Sequence, residues 1–69
     1  MDLKKFFGKE VSIQASNGLL FCGIINDYLF PEDNNRGIES IILETYSGDL
    51  IEFSNFDIIS ISIINSTEH

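Results

Sequence analysis

The chain has 69 residues, enough for one hydrophobic core and too few for two. Eleven acidic and four basic residues give a formal net charge of -7 at pH 7, which repels polyanions such as nucleic acid and anionic lipid. The sequence therefore predicts a single domain over residues 1–69, with partners that are neutral, basic or met at one local patch.

The single cysteine and the hydropathy pattern predict the compartment. Cys22 has no intramolecular disulfide partner, and because it lies in the apolar run 19–25 we expect a buried thiol. The chain does not open with a basic and then an apolar segment, and no apolar run approaches the roughly 20 residues that span a bilayer. We expect a cytoplasmic protein that does not bind membranes.

The first eight residues carry the signals of a short helix. Asp2 can cap its start, Gly8 can end it, and Leu3, Phe6 and Phe7 fall on one face. We expect a helix over residues 2–7 that docks on the core through its phenylalanines.

An alternating strand and a hairpin follow. Apolar and polar residues alternate over 9–16, and Asn17-Gly18 then predicts a type I′ turn, since both residue types tolerate positive φ. The return strand, 19–28, is apolar on both faces. Gly23 in its interior predicts a sharp bend or bulge.

The rest of the chain predicts a second hairpin and a final strand. Residues 29–37 have the composition of a loop, and strands over 38–46 and 50–54 are joined by a tight turn. One helical turn at 55–57 precedes the last strand, 58–64, and the polar tail at 65–69 is expected to fray. Three isoleucines are expected to alternate on one face of the last strand: Ile59, Ile61 and Ile63.

Two stretches, 8–25 and 50–61, resemble the Sm-like (LSm) small-barrel family. The first keeps the family's spacing of turn glycine, aromatic residue, glycine and aliphatic residue at Gly18, Phe21, Gly23 and Ile25. Short motifs at 8–11 (Gly-Lys-x-Val), 27–28 (Asp-Tyr), 33–34 (Asp-Asn), 39–41 (Glu-Ser-Ile) and 57–61 (Asp-Ile-x-Ser-Ile) are also similar to those of small uncharacterised bacterial LSm-type proteins. The resemblance implies a mainly β fold, a short N-terminal helix followed by a five-stranded, strongly bent antiparallel Sm-like barrel.

The residues leave little material for catalysis. His69 is the only histidine and the final residue, so neither a Ser-His-Asp arrangement nor a zinc site of histidine and cysteine can be assembled readily. The carboxylates of Glu32 and Asp33 lie in a polar loop, where we expect them to be solvated. We expect a protein that is not an enzyme and has no cofactor and no metal site.

RNA binding, as in regulators of the Hfq/LSm type, is the alternative that the resemblance implies. The net charge of -7 disfavours it. The candidate RNA-binding residues combine basic, aromatic and polar loop side chains: Lys4, Lys5, Lys9, Asp27, Tyr28, Asn34, Asn35 and Arg36.

Self-association is the function that the residues favour most. A small open barrel leaves strand edges unpaired, and isoleucine-rich edges promote pairing between chains. The leading hypothesis is a non-catalytic Sm-like interaction module that forms a homo-oligomer through its strand edges and could also bind another protein. The expected interface residues are Phe30, Ile58, Ile61, Ile63 and Ile64.

Overall fold

The computed structural model describes residues 2–33 and 37–64, and these two segments are mainly β. The strands are β1 (Glu10–Ala15), β2 (Leu20–Leu29), β3 (Ser40–Thr45), β4 (Leu50–Ser54) and β5 (Ile58–Ile63). Three 3-10 helices accompany them: η1 (Leu3–Phe6), η2 (Pro31–Asp33) and η3 (Asn55–Asp57). No helix in the described segments is long and apolar enough to cross a membrane.

The predicted N-terminal helix over 2–7 is a single 3-10 turn, η1. Asp2 caps it, and its side chain accepts a hydrogen bond of 3.3 Å from the backbone N–H of Lys4. Leu3 and Phe6 are buried as expected, whereas Phe7 is 55% exposed. Phe7 has already left the helical conformation (φ -56°, ψ 128°), so its side chain does not share the buried face.

All five strands form one antiparallel sheet in the order β4-β3-β2-β1-β5. The long strand β2 pairs with β1 along its first half and with β3 along its second half. In the described segments β4 and β5 are the two edges and do not pair with each other. The mainly β, five-stranded antiparallel fold is therefore confirmed, and its single sheet is not closed into a barrel.

The connection between β4 and β5 shows that this open sheet is strongly curled. These strands lie at opposite edges, which in a flat five-stranded sheet would be about 19 Å apart. Only the three residues of η3 join them, and the four Cα steps from Ser54 to Ile58 span at most about 14 Å. The sheet must therefore curl until the end of β4 lies near the start of β5.

The concave face of the sheet carries the core. The buried apolar residues come from η1 and all five strands: Leu3, Phe6, Val11, Ile13, Ala15, Ile25, Ile41, Leu43, Phe53 and Ile58. The rings of Phe21 on β2 and Phe53 on β4 meet edge to face, with centroids 5.3 Å apart, although β3 lies between the two strands. The predicted alternation of β1 is confirmed, because Val11, Ile13 and Ala15 all belong to this core.

The first hairpin does not use the predicted type I′ turn. That turn needs positive φ at both central residues, and in the described segments no residue other than glycine has positive φ. Here Gly18 (φ 90°) donates its N–H to the carbonyl of Ala15 at 2.9 Å, and Gly48 (φ 94°) does the same to Thr45 at 2.9 Å. Because the connection is one residue longer than predicted, only the glycine takes the left-handed conformation.

Gly23 allows β2 and β3 to approach each other closely, and the bulge predicted at this residue lies elsewhere. A Cβ atom built on Gly23 would lie 2.1 Å from the carbonyl oxygen of Glu44, so no side chain fits there. The register between β2 and β3 shifts later, between Ile25 and Asp27.

Two further side chains depart from the prediction. Cys22 is exposed because it shares the outer face of β2 with Leu20 and Ile24. Ile59 is 57% exposed because the pairing of β1 with β5 shifts register at this point and places Ile58 in the core instead. The tail over 65–69, predicted to fray, lies outside the described residues.

Candidate functional site

The first candidate site is the pair of free sheet edges. Strand β5 has neither a charged residue nor a proline over Ile58–Ile63, although these are the usual means of preventing edge pairing. Strand β4 has one charged residue, Glu52. Large apolar side chains that are 45% or more exposed flank the two edges: Leu50, Phe56, Ile59, Ile63 and Ile64.

The edge of β5 also offers backbone hydrogen-bonding groups. The N–H of Ile64 donates to the carbonyl of Glu10 on β1 at 3.0 Å. Because backbone groups alternate in direction along an antiparallel strand, those of Ile63 and Ile61 point away from β1. They face the free edge.

The edge of β4 offers a matching set of backbone hydrogen-bonding groups. The N–H of Thr45 donates to the carbonyl of Asp49 at 2.9 Å, which sets the direction of the alternation. By the same rule, the backbone groups of Leu50 and Glu52 point away from β3. Each copy of the chain therefore presents two edges with donors and acceptors ready for another strand.

The predicted interface residues are divided between different surroundings. Ile63 and Ile64 are 51% and 45% exposed beside the β5 edge, as an interface would require. Ile61 is half-buried and packs against the core, and Ile58 is buried within it. Phe30 is 40% exposed but lies in a second site.

This second candidate site is a groove of about 320 Å³ beside η1 and the end of β2. The ring centroids of Tyr28 and Phe30 are 4.9 Å apart in an edge-to-face arrangement, and Nζ of Lys4 lies 5.1 Å from the centroid of Phe30. The groove combines three aromatic rings with one cation and one carboxylate. Its lining residues are Lys4, Phe7, Asp27, Tyr28 and Phe30.

Glu39 holds the groove in place by joining three elements. Its Oε1 accepts a hydrogen bond of 2.6 Å from the hydroxyl of Tyr28. Its Oε2 accepts one of 3.3 Å from the backbone N–H of Leu3 and one of 3.0 Å from Nδ2 of Asn55. The carboxylate therefore links η1, β2 and η3.

The same hydrogen bonds set the charge state of both partners. The hydrogen bond to Glu39, with burial and nearby negative charge, raises the pKa of Tyr28 to about 12. Burial raises the pKa of Glu39, but the hydrogen bonds from Tyr28, Asn55 and Leu3 outweigh it, so this pKa is lower than usual. At neutral pH the phenol is neutral and the carboxylate is ionised.

Asp27 presents a carboxylate oxygen to the groove. Its Oδ1 accepts a hydrogen bond of 2.8 Å from the backbone N–H of Tyr28, which orients the side chain. Its Oδ2 receives no hydrogen bond from the described residues, and the side chain is exposed. This oxygen is available to a ligand.

Three of the eight residues predicted to bind RNA lie together in this groove, namely Lys4, Asp27 and Tyr28. Lys5 and Lys9 are exposed but do not line it. The other three, Asn34, Asn35 and Arg36, lie outside the described residues.

The sequence predicts neither Phe7 in the lining of the groove nor Glu39 as the residue that bonds Tyr28. The apolar spacing places Phe7 on the buried face of the helix, and no local pattern singles out Glu39. Tyr28 and Phe30, two residues apart and followed by Pro31, were the signal in the sequence that aromatic side chains gather where β2 ends.

No group of three or more histidine, cysteine, aspartate or glutamate residues is placed to hold a metal ion within 2–33 and 37–64. Comparisons of the chain with models of known families, with curated proteins and with solved structures find no match. Proposals about function therefore rest on the edges and the groove.

Proposed function

We propose that this chain is a non-catalytic Sm-like interaction module that assembles into a homo-oligomer by pairing the β4 edge of one copy with the β5 edge of the next. The observation that carries the proposal is the β5 edge. It is uncharged and free of proline, and Ile63 is 51% exposed beside backbone groups that have no strand partner in the described segments.

The two edges fit a head-to-tail arrangement. A contact between β4 and β5 joins two different surfaces, so it is heterologous, and successive copies form a ring if the rotation between them closes. The strand that the open sheet lacks would then come from the neighbouring copy. The curled five-stranded sheet and the resemblance to the Sm-like family support this arrangement.

The size of the chain also favours assembly. A domain near this length buries only about 60% of the surface that its unfolded chain exposes, less than a larger domain does, and is marginally stable alone. An interface of standard size covers about 800 Å² of each partner. Two such interfaces would cover more than a third of the 4372 Å² that the protomer exposes. The apolar side chains at the edges would then be removed from contact with water, which favours assembly.

Sedimentation equilibrium of the purified chain at micromolar concentration tests this proposal. We expect a mass that is a multiple of the 7.8 kDa protomer. A matched pair of variants isolates the backbone contribution of the edge. Ile63→Pro removes an N–H that points away from β1 and should dissociate the assembly, whereas Ile63→Thr keeps that N–H and should retain more of it.

Two results would contradict the proposal. One is a monomeric wild-type chain at these concentrations. The other is an oligomer that survives Ile63→Pro unchanged while circular dichroism shows the variant to be folded.

RNA binding is the second candidate function. One observation favours it, since Lys4, Asp27 and Tyr28 share a groove with rings on which bases could stack. However, Lys4 is the one basic residue among the described residues that line the groove, and the net charge is -7. Fluorescence anisotropy with labelled oligouridine and oligoadenine at low salt tests it, and absence of binding there would exclude it.

A further inference from the structure

The aromatic rings of the groove already bind a cation from their own chain. Nζ of Lys4 lies 5.1 Å from the ring centroid of Phe30, within the distance of about 6 Å at which a cation is attracted to the face of a ring. Phe7 and Tyr28 line the same groove, and no described lysine is placed over either of their rings. The groove has aromatic surface left for a second cation.

The charges around the groove favour such a cation. Asp27 lines the groove, and the negative charges of Glu39, Asp2 and Glu32 each act on the hydroxyl of Tyr28. The lining itself holds one carboxylate and one lysine, so the excess of negative charge comes from these three neighbouring carboxylates and from the net charge of -7. An anionic ligand would therefore be repelled, whereas a cationic one would be attracted.

The shape and the available acceptor favour a guanidinium over an ammonium group. A guanidinium is planar, is less strongly hydrated than an ammonium group, and stacks on aromatic rings while it donates to a carboxylate. Here the rings of Phe7 and Tyr28 and the Oδ2 of Asp27, which has no hydrogen-bond partner among the described residues, lie in one groove. Tyr28 is held by Glu39 at 2.6 Å, so its ring needs no ordering when a ligand binds.

We infer that this groove binds an arginine side chain of a basic protein segment, with the guanidinium stacked on the rings of Phe7 and Tyr28 and paired with Asp27. The inference does not depend on self-assembly, because none of the lining residues belongs to the β4 or β5 edge. The chain would then be a module that recruits a basic partner.

Titration of the full chain with a short arginine peptide, acetyl-Gly-Arg-Gly-amide, tests the inference by ¹H–¹⁵N correlation spectra. We expect shifts at the backbone resonances of Phe7, Asp27, Tyr28 and Phe30. The control ligand is the same peptide with citrulline, which keeps the shape of arginine without its charge. It should bind at least about tenfold more weakly, because it loses the charge-assisted hydrogen bond and the cation–π attraction.

Three variants separate this ligand from other classes. Lys4→Ala removes the competing cation, so it should tighten arginine binding about two- to fivefold, whereas it would weaken binding of any anion. Asp27→Asn should weaken arginine binding about five- to tenfold. Phe7→Ala removes an exposed ring outside the core and should weaken binding without unfolding the chain, which circular dichroism checks.

Several outcomes would overturn the inference. Equal binding of the arginine and citrulline peptides would show that charge is not recognised. Weaker arginine binding by Lys4→Ala would show that Lys4 does not compete with the ligand, and shifts of the groove resonances by hexauridine at low salt would indicate an anionic ligand. No shift at any peptide concentration up to the millimolar range would show that the groove does not bind the side chain. Failure of self-assembly would leave these measurements unaffected.

Discussion

The hydroxyl of Tyr28 and the carboxylate of Glu39 form a hydrogen bond of 2.6 Å that connects the groove to the interior of the fold. The same carboxylate accepts bonds from Leu3 and Asn55, so its loss would leave three donors without their acceptor. It thereby acts on both the stability of the fold and the shape of the groove.

Replacing Glu39 by glutamine should destabilise the protein. Glutamine has one acceptor oxygen instead of two and brings an NH₂ group towards existing donors, so we expect Glu39→Gln to lower the free energy of unfolding by about 1–3 kcal/mol. Urea denaturation followed by circular dichroism measures it. The control is Glu44→Gln, which alters one exposed hydrogen bond with Asn26 and should change stability by less than about 0.5 kcal/mol. Equal effects of both variants would show that Glu39 has no special role.

The contribution of Glu39 should depend on pH. Its pKa is lower in the folded protein than in the unfolded chain, so its stabilising effect is present above the unfolded pKa and is lost as the pH falls through the folded pKa. The stability difference between wild type and Glu39→Gln should therefore be constant near neutrality and shrink in acid. A difference that stays constant down to pH 3 would contradict this assignment.

Both tyrosines should resist ionisation in the folded protein. Hydrogen bonds to Glu39 and Glu10 raise the pKa values of Tyr28 and Tyr46, respectively, to about 12. Stabilisation from these bonds is complete below the unfolded pKa and is lost as the pH rises through the folded value. Absorbance of phenolate should therefore appear at higher pH in native protein than in urea, where tyrosine titrates near about 10. Glu39→Gln should lower only the Tyr28 value.

A side chain at Gly23 should disrupt the pairing of β2 with β3. The added Cβ would lie 2.1 Å from the carbonyl oxygen of Glu44, so we expect Gly23→Ala to lower the free energy of unfolding by about 2–3 kcal/mol. Gly48→Ala is the control, since it meets no atom within 4 Å and strains only the backbone at φ 94°. It should lower stability by about 1 kcal/mol. A smaller loss of stability for Gly23→Ala than for Gly48→Ala would show that β2 and β3 are not so close at this point.

Thermal stability should depend on protein concentration if the edges pair. A folded assembly that dissociates on unfolding has a Tm that rises with concentration, so we expect an increase of several degrees between about 5 and about 500 μM. Differential scanning calorimetry measures it. The Ile63→Pro variant should show a Tm that does not change with concentration, and a wild-type Tm equally independent of concentration would count against assembly.

Local patterns were sufficient to predict the strands and the positions of the turns. The alternation of β1, the glycines that end both hairpins and the single turn of η3 depend on residues close together in the chain, and each was found near its predicted position. Their physical basis is local as well: the side-chain period of two along a strand, and the freedom of glycine to adopt positive φ. The predicted type I′ geometry failed because one extra residue changes the turn.

The remaining features, namely which side chains are buried and which contacts Glu39 makes, depend on the packing of segments that are distant in the chain. A register shift placed Ile58 inside and Ile59 outside, and the outer face of β2 exposed Cys22. Glu39 joins residues 36, 11 and 16 positions away in the chain, and no local pattern contains such a contact. Pairing register and the curl of the sheet bring these groups together, and both follow from how the whole apolar surface is buried.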